Sequence, residues 1–174
     1  MTGDRDAALA RALVEETCRK TALLWLRPAG ADRAVAVWHV FTGGAVHVVG
    51  GGREQVLPDV ADGDEVEVTV ASKDTGGRLL TFVATVTTVR PDDESWDPVV
   101  ADLHAKRLNP PDGEAQPARW AAESRVLRLE PTGRVIEQPG HLSHRSHAAE
   151  PVGSPATTRG PLPFVIGRRA RRRR

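Results

Sequence analysis

Between Glu65 and Val89 apolar and polar residues alternate in two runs, Glu65–Ala71 and Leu79–Val89, separated by the polar stretch Ser72–Arg78. Val66, Val68 and Val70 fall on one side of the first run, and Leu80, Phe82, Ala84 and Val86 on one side of the second. A period of two marks half-buried antiparallel strands, so the pair predicts a long hairpin. Upstream, Thr21–Arg27 reads as a strand ended by Pro28-Ala29-Gly30, and Ala34–Phe41 as a second strand. Gly43-Gly44 supplies a two-residue turn into a third strand, Ala45–Val49. That turn sets Val40 opposite His47 and His39 opposite Val48. The two histidines then point to opposite faces, which argues against a shared metal on the hairpin. Ser124–Glu130 alternates once more and predicts a closing strand.

Helical spacing occurs at two places. Ala8, Leu9, Ala12, Leu13 and Glu16 recur at helical intervals across Asp4–Arg19, with Asp4 as a candidate N-cap. Trp96, Val99, Val100, Leu103 and Leu108 form a second stripe across Asp93–Leu108, ended by Asn109-Pro110-Pro111-Asp112-Gly113. From there to Arg119-Trp120 the chain reads as a loop. Beyond Pro131-Thr132-Gly133 no apolar period continues; Pro, Gly, Ser, His and Arg dominate, which predicts disorder. One mainly β (α+β) domain is therefore expected over 1–135, followed by a disordered tail over 136–174.

Composition changes this picture in three respects. The net charge of +1 conceals an asymmetry: without the six arginines of Arg168–Arg174, 18 basic against 23 acidic residues leave −5. The body is acidic and the arginine cluster is a candidate contact for nucleic acid or an acidic partner through charge alone. The single cysteine, Cys18, excludes an intramolecular disulfide and a Cys-based zinc site, and its helical setting favours burial. No apolar run reaches the roughly 18 residues of a membrane span, and the charged N-terminus is unlike a signal peptide, so a cytoplasmic location is expected. His141, His144 and His147 lie in a Pro/Gly-rich stretch that offers no supporting shell, and no metal is expected.

Two segments have the composition of an anion grip. In Ser72–Arg78, Gly76 and Gly77 permit left-handed backbone, while Lys73, Arg78 and the Thr75 hydroxyl can donate to phosphate oxygens. Gly50-Gly51-Gly52 followed by Arg53 and Gln55 places a cation and an amide just past a strand end. His104, Lys106 and Arg107 complement the negative end of the second helix, as Asp92, Asp93 and Glu94 suit its start. No nucleophile elbow or Ser–His–Asp spacing is present.

Helix, three antiparallel strands, polar crossover, two long strands, helix and closing strand is an order that resembles the pyridoxamine 5′-phosphate oxidase-like flavin-binding family, over about residues 5–131. The likeness is carried by Trp25–Arg27, the Trp38/Phe41 hairpin to Val49, Arg53-Glu54-Gln55-Val56-Leu57, and the paired runs Glu65–Ala71 and Leu79–Val89. It implies a six-stranded antiparallel split β-barrel with two flanking helices, pairing as a homodimer with its cofactor at the interface. The implied cofactor is FMN, with deazaflavin or haem as in related split barrels, and the implied activity is oxidoreduction of an unknown small molecule. In that family a small residue, a spacer and a basic pair after the third strand hold the flavin phosphate. Gly51, Gly52, Arg53 and Gln55 take that place here. The second strand lacks the family's basic residue, a gap that Lys73, Thr75 or Arg78 would fill, and Trp38 is the implied stacking surface. The competing expectation is a cofactor-free interaction module, or a structural homodimer, whose basic tail contacts nucleic acid or an acidic partner.

Overall fold

The computed structural model describes residues 2–144; the arginine cluster and His147 lie outside them. The elements are α1 (Thr2–Lys20), β1 (Leu23–Pro28), β2 (Val35–Trp38), β3 (Val40–Thr42), β4 (Ala45–Gly50), β5 (Glu65–Ala71), β6 (Arg78–Val89), α2 (Trp96–Lys106), α3 (Gln116–Glu123) and β7 (Arg125–Glu137). One 3₁₀ turn, Gly113–Ala115, leads into α3.

All seven strands form one antiparallel sheet in the order β2-β1-β5-β6-β7-β4-β3. The two edges, β2 and β3, are consecutive halves of a single segment interrupted only at His39. The same stretch of chain therefore pairs with β1 at one edge and with β4 at the other, which closes the sheet into a barrel. Counted as one bent strand, it gives the expected six. The hairpin registers agree with the alternation: Val68 faces Phe82, Val70 faces Leu80, and Val40 faces His47.

The break at His39 differs from the continuous strand that Ala34–Phe41 suggests, and side chains explain it. His39 Nε2 lies 2.9 Å from the Cys18 carbonyl at the end of α1. At Trp38, where the chain leaves β1, the Gln55 amide takes the place of a neighbouring strand. Gln55 Oε1 accepts from Trp38 N at 2.7 Å, while Nε2 donates to Trp38 O at 2.9 Å and to Val49 O at 3.0 Å. Half-buried backbone groups at the seam are thereby satisfied without a strand partner. Truncating Gln55→Ala orphans them, at about 1–3 kcal/mol per buried group. We expect a loss of about 3 kcal/mol in denaturant unfolding, and an unchanged midpoint would refute the seam role.

Two apolar clusters result. Inside the barrel, Leu24, Leu26, Val37, Val46, Val48, Val66, Val68, Val70, Leu80, Phe82, Val86, Leu127 and Leu129 meet Val14 and Cys18 of α1. On the outer face, Val40, Val49, Val89 and Val126 are covered by Trp96, Val99, Val100 and Leu103 of α2 and by Trp120 of α3. The buried stripe of α1 is thus Val14 and Cys18 with Leu13 packed beside them, whereas Leu9, part of the expected stripe, is 69% exposed.

Two further expectations are corrected. The stretch read as a loop before Trp120 contains α3, making three α-helices among the described residues; Pro117 at its start is tolerated because the first N–H groups of a helix have no partner within it. The closing strand passes through Pro131-Thr132-Gly133 and reaches Glu137. Those residues form an irregularity in the β6–β7 ladder, with Ala84 opposite Pro131 and Phe82 opposite Val135. Extra residues on one strand bulge outward, and pairing resumes beyond them.

Candidate functional site

The segment leaving β4 folds back at once. Gly51 N donates to Gln55 O and Glu54 N to Gly51 O, both at 3.0 Å. Gly51 (φ 86°) and Gly52 (φ 59°) adopt the left-handed backbone such a turn requires, and a Cβ on Gly52 would stand 3.2 Å from the Glu123 carbonyl. The turn sends three neighbouring side chains in three directions. Arg53 points to solvent with its side chain 62% exposed, its partner Asp112 at 3.5 Å. Gln55 enters the barrel seam, and Glu54 goes inward.

Glu54 is the centre of a polar cluster between the turn and the α2–α3 segment. Its side chain is 0% exposed. Oε2 accepts from Arg107 Nε at 2.9 Å; Oε1 accepts from Arg119 Nη2 at 2.8 Å and from Gln116 Nε2 at 2.9 Å. Arg119 Nε also binds Asp112. Burial pushes the Glu54 carboxyl upward, but the Trp120 indole N–H, Arg119 and Arg107 outweigh it and hold its pKa below the ordinary value. The indole nitrogen makes no hydrogen bond of regular geometry, so its influence on Glu54 is that of a nearby dipole.

Trp38 and Trp120 cap this cluster, ring centroids 6.5 Å apart and tilted by 42°. The Arg107 guanidinium lies 6.0 Å from the Trp38 centroid. Trp38 is half-buried against the outer cluster, and its exposed remainder is the part open to a ligand.

The second candidate loop lies elsewhere. Ser72 Oγ accepts from Asp74 N and Thr75 N at 3.2 Å, and Thr75 Oγ1 accepts from Gly77 N at 3.3 Å, so the turn is stabilised largely by its own groups. Arg78 donates to the Ser143 carbonyl at 2.7 Å and sits 3.6 Å from Glu137. This loop opens β6, whereas Gly50 lies opposite Arg125 and Val126 opposite Val89, at the other end of β6. At about 3.3 Å per residue the two loops are separated by roughly 36 Å of strand. Within one chain the structure brings Gly51, Gly52, Arg53, Gln55 and Trp38 together, and does not bring Lys73, Thr75 and Arg78 to them.

Two buried histidines complete the inventory. His39 leaves Nδ1 without a partner and His47 leaves both ring nitrogens so. Burial is the main cause lowering each to about 4, aided by Lys106 for His39 and by Arg128 for His47. Cys18 is also buried, which pushes its thiol up to about 12 and leaves it unreactive at neutral pH.

Sequence reasoning missed Glu54, Arg107, Asp112, Gln116, Arg119 and Trp120 as a group. One signal was present. Gln116, Arg119, Trp120 and Glu123 recur at helical spacing, putting a cation and an indole on one face of a helix.

With closure through a bent edge strand and helices over one outer face, the chain has the antiparallel split-barrel fold that its element order predicts. Among solved structures it is similar to HutZ, the heme storage protein from Vibrio cholerae, at 18% identity over 71% of this chain and 90% of that one, with a TM-score of 0.49. It is also similar to an F420 reductase, at 17% identity over 68% of this chain and 92% of that one, TM-score 0.47. A putative general stress family protein from Xanthomonas campestris aligns at 13% identity over 76% and 85%, TM-score 0.46. No family model and no curated protein matches the sequence. Among the described residues no helix is long and apolar enough to cross a membrane.

Proposed function

We propose that this split barrel binds a flavin, FMN or a deazaflavin, as a homodimer and acts as an oxidoreductase on a small molecule. The observation that carries the reading is Arg53: a solvent-facing cation on a left-handed glycine turn at the end of β4, with only a 3.5 Å contact to Asp112. Arg53 fits a phosphate group, because its guanidinium fork is open for bidentate contact, while the missing Cβ atoms of Gly51 and Gly52 make room for Glu123 and Ser124 and let the turn present Arg53. Gln55 does not fit that role, since its amide is committed to the backbone of Trp38 and Val49. Lys73, Thr75 and Arg78 do not join the site within one chain. A bound flavin would supply the two-electron chemistry; this chain would hold its phosphate at Arg53 and offer the open part of Trp38 to its ring. Leu23, 49% exposed on the outer side of β1 beside half-buried Trp25, and Ile136, 47% exposed, leave apolar surface that supports pairing with a second copy.

The visible spectrum of purified protein, before and after mixing with FMN, deazaflavin F420 and haem, tests the reading. Flavin or deazaflavin absorbance retained through gel filtration is the expected result, and a protein that retains none of the three would contradict it. A second reading, a cofactor-free interaction module or structural homodimer, is favoured by the internal use of Gln55 and Glu54. It requires the colourless outcome. If an arginine-rich tail tethers it to nucleic acid, binding must fall steeply with salt and vanish when residues 168–174 are removed.

A further inference from the structure

Glu54 has donors on both of its oxygens, and further buried donors stand beside it. Its two oxygens take Arg107 Nε, Arg119 Nη2 and Gln116 Nε2 at 2.8–2.9 Å. Arg119 Nη1, 4.0 Å from Glu123 Oε2, and Trp120 Nε1, directed at Glu54, are also buried, and neither makes a hydrogen bond of regular geometry. Trp120 and Gln116 are each 0% exposed, so these donors are fixed by packing rather than borrowed from the surface. Two guanidiniums, one amide and one indole N–H around a single carboxylate make an arrangement that a tetrahedral oxyanion would satisfy more fully. Such an ion brings additional acceptor oxygens and a larger negative charge.

The carboxylate that fills this arrangement sits on a surface turn. On one side of it Arg53 faces solvent, on the other Gln55 is held in the seam with Val56, 78% exposed, beyond it, and Gly51 and Gly52 have left-handed backbone. Asp112, bound to Arg119 Nε, and Glu123, 4.0 Å from Arg119 Nη1, are the other acidic groups on the receptor cations. With Glu54 withdrawn, the pair Arg107 and Arg119 would face only Asp112 and the half-exposed Glu123.

We infer that Arg107, Arg119, Gln116 and Trp120 form an oxyanion receptor for a phosphate group, and that Glu54 is its resident competitor. The receptor's donors are distinct from Arg53, although Asp112 pairs with both Arg53 and Arg119, and the receptor stands whether or not a flavin binds. Isothermal titration with inorganic phosphate at constant ionic strength, on the full chain, tests it. Glu54→Gln keeps the side-chain shape and removes the competing charge, so it should bind phosphate at least tenfold more tightly than the unsubstituted chain. Adding Arg119→Met should abolish that gain, while adding Lys73→Ala, at the far end of β6, should leave it intact. Equal affinity in Glu54→Gln and the unsubstituted chain, or a gain that survives Arg119→Met, overturns the inference. If Glu54→Gln fails to fold in chloride, phosphate at the same ionic strength should restore its circular dichroism spectrum, and failure in both salts overturns the inference equally.

Discussion

Acidification from pH 7 to pH 4 is expected to remove on the order of 6 kcal/mol of folding stability, most of it through His39 and His47. Both are held near 4 in the folded chain, against an ordinary 6.5. A group with a depressed folded pKa takes up its proton more readily when unfolded. Between 6.5 and about 4 the unfolded chain therefore binds more protons, and stability falls as pH falls, by about 1.4 kcal/mol per unit for each histidine. Above 6.5 the effect is absent; below 4 it is fully expressed. Glu54 adds a loss at still lower pH, as its depressed folded pKa is crossed. The measurement is the urea midpoint as a function of pH. His47→Leu should fold at pH 7, because neither ring nitrogen has a partner to lose, and should flatten the slope between 6.5 and 4. A slope unchanged by His47→Leu would show that the burial of this ring does not control the acid response.

Glu54→Ala should destabilise the protein by about 4 kcal/mol in chloride at pH 7, since removing one partner of a buried ion pair leaves the other charge uncompensated. Here the exposed parties would be two: Arg119, 11% exposed at its side chain, and Arg107, 26% exposed. Arg53→Ala, at the other side of the same turn, should change stability by less than about 1 kcal/mol, as exposed pairs do. Denaturant unfolding of the two variants separates these effects. A Glu54→Ala midpoint equal to that of Arg53→Ala would mean that the cluster does not anchor the turn.

Much of the barrel is written in local alternation. Val66, Val68 and Val70 against Leu80, Phe82 and Ala84 fix both strands and their register, and Gly43-Gly44 fixes the hairpin that places Val40 opposite His47. The break at His39 is not written there: Val35–Phe41 is apolar except for His39 and reads as one strand, and the interruption is imposed by Cys18 and Gln55, which are distant in sequence. Helix α3 is hidden behind Pro110-Pro111 and Pro117, and at eight residues its apolar face is little more than Trp120. Pro131-Thr132-Gly133 has the composition of a turn and serves as a bulge, because β6 is long enough to pair on both sides of it.

The candidate site was legible in part for the same reason. A cation and an amide after a strand end are visible at Arg53 and Gln55, but which of them remains available depends on what lies across the fold. Gln55 meets Trp38 and Val49 and is consumed, whereas Arg53 meets only the edge of Asp112. Arg107 looks from sequence like a complement to the α2 dipole, and its Nε goes instead to Glu54. Lys73 and Arg78 have suitable chemistry, yet the length of β6 separates them from the other loop.

If Arg53 holds a flavin phosphate, FMN and riboflavin, which lacks the phosphate, must bind differently. Fluorescence titration of the unsubstituted chain should show FMN binding at least tenfold more tightly than riboflavin, and Arg53→Ala should erase that preference. Equal affinity for the two flavins, or a preference that survives Arg53→Ala, would mean that Arg53 does not hold the phosphate.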